Sequence, residues 1–224
     1  MSGHLKRIAA PRAWKIKRKT GKWIVRPLPG AHSFEEGFSL ATLLAEKLKV
    51  SKSRRESKTI LQKKHVVING VRRFEPRFII GFMDLIELPD VHEMYRIMYD
   101  HNGFLKLVKE TLAIKPVRIK NKTMRAGKTQ LNLADGRNIT VEKDTYKVND
   151  TVVLEIPSLK IINHLPLQEG MTAYLVGGNH VGDVGKIVSI KNKVVQIKTE
   201  KETFETAKKS IFIIGKEKSV VTIT

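Results

Sequence analysis

The chain has 224 residues, 41% of them apolar, enough to bury the cores of one large domain or of two to three small ones. It carries a net charge of +20, no cysteine, and no apolar run approaching the ~20 residues of a membrane-spanning helix. Disulfides, thiolate metal sites, a signal peptide and a membrane span are excluded by this reading; a polyanionic partner in a reducing, intracellular setting is expected.

The charge is unevenly placed. Residues 1–77 hold twenty Lys or Arg against five Glu, a net of +15, which leaves +5 for the rest of the chain. Residues 1–32 carry nine of these cations, no acid, and the only two tryptophans, Trp14 and Trp23. Pro11, Pro27 and Pro29 interrupt any helical or strand period. A solvating tail is the plain reading, but such a tail has little use for two tryptophans. Cations interleaved with aromatics suit an arm that neutralises phosphates and stacks on bases or ribose, ordering as it binds. The arm is taken as residues 1–37. Lys6, Arg7, Arg12, Lys15, Lys17, Arg18, Lys22 and Arg26 are its expected RNA contacts, with Trp14 or Trp23 stacking.

Ser39 opens a helix in which Leu40, Leu43, Leu44 and Leu48 recur at helical spacing and belong to a core. Ser53 followed by Glu56 is a capping box, so a second helix starts at Ser53 and presents Arg54, Arg55 and Lys58 on an exposed face. Beyond Lys63 and Lys64 the pattern turns to strand over His65–Ile68, and Asn69-Gly70 is a strong two-residue hairpin signal. The return strand opens with Arg72 and Arg73. His65 reads either as a partly buried polar residue or as an RNA contact. Phe78–Met83 is a buried run, and Asp84–Leu88 alternates as a strand before Pro89. Residues 38–90 thus form a compact α+β module of two helices on a small sheet. Arg-x-Glu-Ser-Lys at 54–58, followed by a basic strand ending Val-Ile-Asn-Gly, resembles the small RNA-binding module named after ribosomal protein S-four. That resemblance implies RNA binding through Arg54, Arg55, Lys58, Lys63, Lys64, Arg72 and Arg73, without saying which protein carries it.

From Val91 to residue 168 the charge is balanced and the pattern mostly β. Strands are expected over 94–99 and 104–107, then at Val117–Ile119; 109–114 is ambiguous, with Pro116 ending it. Hairpins are expected from 129–133 to 138–141 across Asp135-Gly136, and from 151–156 to 159–162 across Pro157-Ser158. Residues 169–215 continue with a strand at 172–176, a Gly-rich turn through Gly185, a hairpin from 186–190 to 194–199 around Asn192, and a closing strand at 211–214. This strand, glycine turn and strand pattern resembles the KOW motif, a small SH3-like barrel of ribosomal and transcription-elongation proteins. Residues 216–224 form a tail with no assigned element.

Two segments mimic a phosphate-binding P-loop. Gly127-Lys128-Thr129 has Lys122 where the first glycine is needed; Gly185-Lys186 is followed by Ile187 and preceded by His180 at the corresponding places. The seven histidines include no i,i+4 pair suited to zinc. Asp84 and Glu87, three apart in a strand, fall on opposite faces and cannot share acid–base work. No catalytic, cofactor or metal site is expected. A pseudouridine synthase would need a catalytic domain for which the segment after the module is too short and too β-segmented.

The order of the parts is more specific than any part. His4-Leu5-Lys6-Arg7-Ile8-Ala9-Ala10-Pro11, Arg26-Pro27, Gly30-Ala31-His32, Gly81-Phe82-Met83-Asp84, Val148-Asn149-Asp150-Thr151, Gly177-Gly178 and Ile211-Phe212-Ile213-Ile214-Gly215-Lys216 resemble landmarks of the archaeal and eukaryotic small-subunit ribosomal protein S4e family. Eukaryotic members run on past the segment ending near Lys216, which favours an archaeal source. The resemblance implies a multidomain α+β structural protein, cytoplasmic in the ribosome, that binds small-subunit rRNA and neighbouring ribosomal proteins and takes no small-molecule substrate. The alternative is a free-standing regulatory or chaperone RNA-binding protein. Whether the β domains touch RNA or protein is open in the sequence.

Overall fold

The computed structural model describes residues 3–125, 127–142, 144–191, 194–199, 202–216 and 219–222. The expected α+β balance is corrected: among the described residues the fold is mostly β, with several sheets and few helices. Two compact units divide it, residues 1–98 with 104–111, and residues 99–103 with 112–224.

In the first unit, the N-terminal segment is folded without regular strands or long helices, as its prolines dictate. Two single-turn 3-10 helices, Arg7–Ala9 and Arg12–Trp14, are followed by a return of the chain that brings Trp23 opposite Lys6. Strand β1 (Gly37–Ser39) leads into helix α1 (Leu40–Thr42), whose start is fixed by the Ser39 hydroxyl accepting the Thr42 amide at 3.2 Å. The helix widens into a π-turn over Leu43–Lys47, and Leu40, Leu43 and Leu44 are buried as their spacing requires. Helix α2 (Arg54–Lys63) begins at the expected capping box. The Ser53 hydroxyl accepts the Glu56 amide, and the Glu56 carboxylate reaches back to the Lys52 amide at 2.7 Å rather than to that of Ser53.

The hairpin that follows is shorter than expected, with strands β2 (Val67–Ile68) and β3 (Val71–Arg72) and His65 outside it. Asn69 and Gly70 both take positive φ, 50° and 76°, the geometry of the turn inferred from the sequence. Strand β4 (Ile79–Gly81) pairs with β1; β5 (Leu85–Leu88), β6 (Glu93–Tyr99) and β7 (Leu105–Lys109) extend the hairpin into a sheet ordered β3-β2-β5-β6-β7, so its strands continue beyond residue 90. Asp84 is the internal knot of this unit. Its carboxylate accepts the Gly81 amide (2.9 Å) and the Asn69 side-chain amide (2.8 Å), and lies 2.8 Å from His32 Nε2. A Cβ on Gly81 would meet the His32 ring at 2.5 Å, so glycine there lets the N-terminal segment dock. Two buried side chains, Arg96 and Glu110, pair at 3.0 Å across the sheet.

The second unit holds two five-stranded antiparallel sheets. One has the order β10-β9-β8-β11-β12, built from β8 (Ile114–Arg125), β9 (Lys128–Leu133), β10 (Asn138–Val141), β11 (Thr151–Glu155) and β12 (Ile161–Leu165). The other has the order β16-β15-β14-β13-β17, from β13 (Thr172–Leu175), β14 (Val184–Lys191), β15 (Val194–Lys198), β16 (Thr203–Ala207) and β17 (Ile211–Gly215). Both expected hairpins of the first sheet form. Pro116 does not end a segment: it lies inside β8, where only β11 is paired, because β9 joins from Ile119 onward. One flank of the strand is therefore locally an edge, where a missing N–H costs no ladder bond. Residues 110–113 are irregular rather than a helical turn. Strand β11 faces two cores. Val152 and Leu154 pack with Val117, Ile119 and Leu131, while Val153 packs with Ala173, Ile187 and Ile197. Burial on both faces explains why it reads as an unbroken apolar run. Strand β16 went unanticipated, since its alternation of Thr, Phe and Glu leaves no residue fully buried. Asn192, expected at the β14–β15 turn, and parts of the 216–224 tail lie outside the described residues.

Candidate nucleic-acid interface

The N-terminal segment owes its shape to short contacts rather than to secondary structure. The Arg7 amide donates to the Lys22 carbonyl at 3.0 Å and the Ile24 amide to that of Leu5 at 3.0 Å, a two-rung ladder that pins Trp23 in place. Arg7 forms an ion pair with Glu46 at 2.7 Å and also donates to the Lys17 carbonyl. Leu5, Ala10 and Trp14 are buried. One expectation is corrected here. Trp14 has no exposed surface and meets Phe34 edge-on with centroids 5.7 Å apart, so its ring is committed to packing and cannot stack on a base. The Arg7–Glu46 pair ties the segment to the π-turn.

The remaining cations are presented outward. Lys6, Arg12, Lys15, Lys17, Arg18 and Lys22 are exposed and Arg26 is half-buried beneath Phe34, its guanidinium 5.8 Å from the ring centre. Arg18 donates to the Ile8 carbonyl. Trp23 is 51% exposed, with Lys22 Nζ 5.3 Å from its ring centre and the His4 ring tilted beside it. Lys15 caps Phe104 at 5.2 Å, and Arg12, Lys15, Lys17, Arg18 and Phe104 line a concavity of about 370 Å³.

On α2 the capping box orients the first turn so that Arg54, Arg55 and Lys58 are exposed while Ser57 and Leu61 are buried. Lys63, Lys64 and His65 are exposed at its end. Arg72 and Arg73 are half-buried. Arg72 lies 4.6 Å from the Phe74 ring centre and donates to the Gln62 carbonyl, and Arg73 lies 4.4 Å from the Phe78 ring centre. These two cations are held in place by aromatic faces, which costs them no charge.

Two grooves flank the Trp23–Val25 segment. One, of about 300 Å³, runs between Arg7, Trp23, Glu46, Lys52 and Arg54. The other, of about 410 Å³, is bounded by His4, Trp23, Arg26, Arg54 and Arg77, with no carboxylate in its wall. The structure therefore brings Trp23, Arg26 and Arg54 together, although they are far apart in sequence. The Lys17–Arg18 cluster lines a different concavity. Sequence reasoning missed His4 and Arg77. Arg77 Nε donates to the Arg26 carbonyl at 3.1 Å and the Leu28 amide to the Arg77 carbonyl at 2.8 Å, so it holds the segment and lines the groove at once. Its only sequence signal was one more cation beyond the hairpin.

The two P-loop mimics sit in hairpins. Lys128 and Thr129 belong to β9 and Gly185-Lys186 to β14; neither leads from a strand into a helix N-terminus. Among the described residues no cluster of three metal-ligating side chains occurs, and no helix is long and apolar enough to cross a membrane.

The model of the ribosomal family S4e matches residues 91–161, and that of the RS4NT domain matches residues 1–35. The small ribosomal subunit protein eS4 of Methanocaldococcus jannaschii is 40% identical, with 97% of this chain and 96% of that protein covered. Its namesake in Methanococcus aeolicus is 38% identical over 98% and 97%. The crystal structure of the 30S ribosomal protein S4e from Thermoplasma acidophilum superposes with a TM-score of 0.70 at 32% identity, covering 80% of this chain and 95% of that one.

Proposed function

The chain belongs to the ribosomal S4e family, of archaeal type, and from that premise we propose that it binds the rRNA of the small subunit and stabilises its fold. Its role is that of a structural component of the cytoplasmic ribosome rather than an enzyme, with rRNA and neighbouring ribosomal proteins as partners. The observation that carries the RNA reading is the exposure of Lys6, Arg12, Lys15, Lys17, Lys22, Arg54, Arg55, Lys58, Lys63 and Lys64 on one folded unit, beside a half-exposed tryptophan. Exposed cations that meet phosphates release the counterions those phosphates had condensed. Neutralising about eight phosphates would give a log–log salt slope near −6 on single-strand scaling. Selectivity follows from shape, since a folded RNA junction is read by several surfaces at once.

The finer layout is part of the same proposal: a basic arm over 1–37, an S-four-type module over 38–90, a β-rich domain over 91–168, a KOW-like SH3-like barrel over 169–215 and a tail over 216–224. The pairing of β13 with both β14 and β17 supports the barrel. In a lysate sedimented through a sucrose gradient, the chain is expected to co-migrate stoichiometrically with small subunits and to stay there after a salt wash. Recovery in the light fractions would replace this reading with that of a free-standing RNA-binding protein.

A further inference from the structure

The groove bounded by His4, Trp23, Arg26, Arg54 and Arg77 has features that phosphate neutralisation alone does not require. Three guanidinium groups and no carboxylate line it, so its field favours an anion. A half-exposed indole stands at its edge, and an indole joins an apolar face to a hydrogen-bonding tip, which suits it to an interface. Trp23 is not loose. The ladder between residues 5–7 and 22–24 fixes its backbone, and Arg77 and Ser39 anchor the chain that follows by hydrogen bonds to the Arg26 and Val25 carbonyls. A pre-positioned ring beside pre-positioned cations binds without the cost of ordering either. The size, about 410 Å³, lies within the range of pockets that hold a small molecule. The exposed guanidinium of Arg54 makes no ion pair with a described residue. The neighbouring groove along the other side of Trp23 also reaches the indole, but its wall carries the Glu46 carboxylate.

Resting on the RNA-binding reading above, we propose that this groove is a receptor for one unpaired nucleotide: its base stacks on Trp23 and its phosphate sits against Arg54 and Arg77. A duplex offers neither a free base face nor a base–phosphate pair of that reach, so the site selects bulged, looped or single-stranded RNA over paired RNA. The two faces of the groove do different work. Stacking is tolerant of base identity, and the arginines contribute the salt-dependent part.

The test uses the full chain and a ten-nucleotide oligoadenylate, with an abasic oligomer of equal length and a ten-base-pair RNA duplex as controls. Because Trp14 is buried, quenching of tryptophan emission by oligoadenylate reports on Trp23. The expected results are quenching by oligoadenylate and not by the abasic oligomer, and a loss of oligoadenylate affinity in W23A of roughly five- to hundredfold. W23F should restore most of that affinity, abasic binding should not change in W23A, and R54Q should make the salt slope shallower by about 0.7. Equal affinity of W23A and the parent chain for oligoadenylate would overturn the nucleotide receptor while leaving RNA binding intact. Failure of the parent chain to bind any of the three RNAs, or any small-subunit rRNA fragment, would overturn the RNA reading itself, and this inference with it.

Discussion

The two units place their charge differently. In the second unit some cations are matched within the fold: Lys115 pairs with Asp135 at 3.0 Å in a buried site, Lys128 with Glu142 at 3.3 Å, and Lys122 with Asp144, while His164 contacts Asp150 at 2.7 Å. In the first unit, acids meet cations at a few structural points, Arg7–Glu46, Arg96–Glu110 and Lys109–Glu93, and exposed basic residues such as Lys6, Lys22, Arg54, Arg55 and Lys58 gather on the N-terminal segment and α2. Paired charge fixes a fold; unpaired charge acts at a distance on something else. A net charge of +20 therefore says less than the number of cations a fold leaves without a carboxylate.

The contrast can be broken most violently from the structural side. Trp14→Ala in the first unit removes a fully buried indole and should cost about 3–5 kcal/mol in urea unfolding, whereas Trp23→Ala, at a half-exposed ring, should change stability by less than about 0.5 kcal/mol. Equal costs would mean that the two tryptophans do not divide into packing and contact roles. In the second unit, Lys115→Ala strands a buried carboxylate. It should destabilise by about 3 kcal/mol, at the low end because Arg137 Nε remains 3.7 Å from Asp135, and should leave RNA affinity of the folded protein unchanged.

Smaller effects sharpen the same division. Glu46→Gln removes the partner of Arg7 in a partly buried pair, worth about 1 kcal/mol, and should speed amide hydrogen exchange at Arg7 and Ile24 before it affects the sheet. Unchanged exchange would show that the backbone ladder alone holds the segment. The smallest effect is a pH dependence from Lys47, whose ammonium donates to the Leu105 carbonyl at 2.6 Å. Burial first, then the charge of Lys15, lowers its pKa from 10.5 to about 8, against a raising influence from Glu46. Between about pH 8 and 10.5 the unfolded chain holds the extra proton, so this group's contribution to stability rises with pH across that window and is lost as pH falls through 8. The difference in Tm between the parent chain and Lys47→Met should shift in favour of the parent over that range; a flat difference would remove Lys47 as the titrating group.

Local rules were legible in the sequence where one residue's chemistry decides the geometry. Ser53 with Glu56, and Asn69 with Gly70, placed a helix start and a turn at the residues where the structure has them. Short β patterns likewise announced the hairpins of the second unit. What the sequence hid depends on distant partners. Nothing local distinguishes Trp14 from Trp23; contacts with residues distant in sequence, Phe34 among them, decide which ring is covered. Arg7 reads as one more cation until Glu46 comes within 2.7 Å. Pro116 reads as a terminator unless it is known that β9 joins β8 only from Ile119. The groove beside Trp23 joins residues from 4 to 77, and its shape comes from the Arg77 and Asp84 contacts that seat the N-terminal segment.

If position rather than total charge decides the proposed RNA binding, the exposed cations of α2 matter more than exposed lysines elsewhere. This is tested by two variants with the same change in net charge: Arg54→Gln with Arg55→Gln on α2, and Lys186→Gln with Lys198→Gln, exposed cross-strand neighbours in the second unit. Binding to small-subunit rRNA would be measured against salt concentration for both. The α2 pair is expected to weaken binding and make the log–log slope shallower by about 1.4, with Tm unchanged, while the β14–β15 pair stays within about twofold of the parent. Equal losses in the two variants would contradict it.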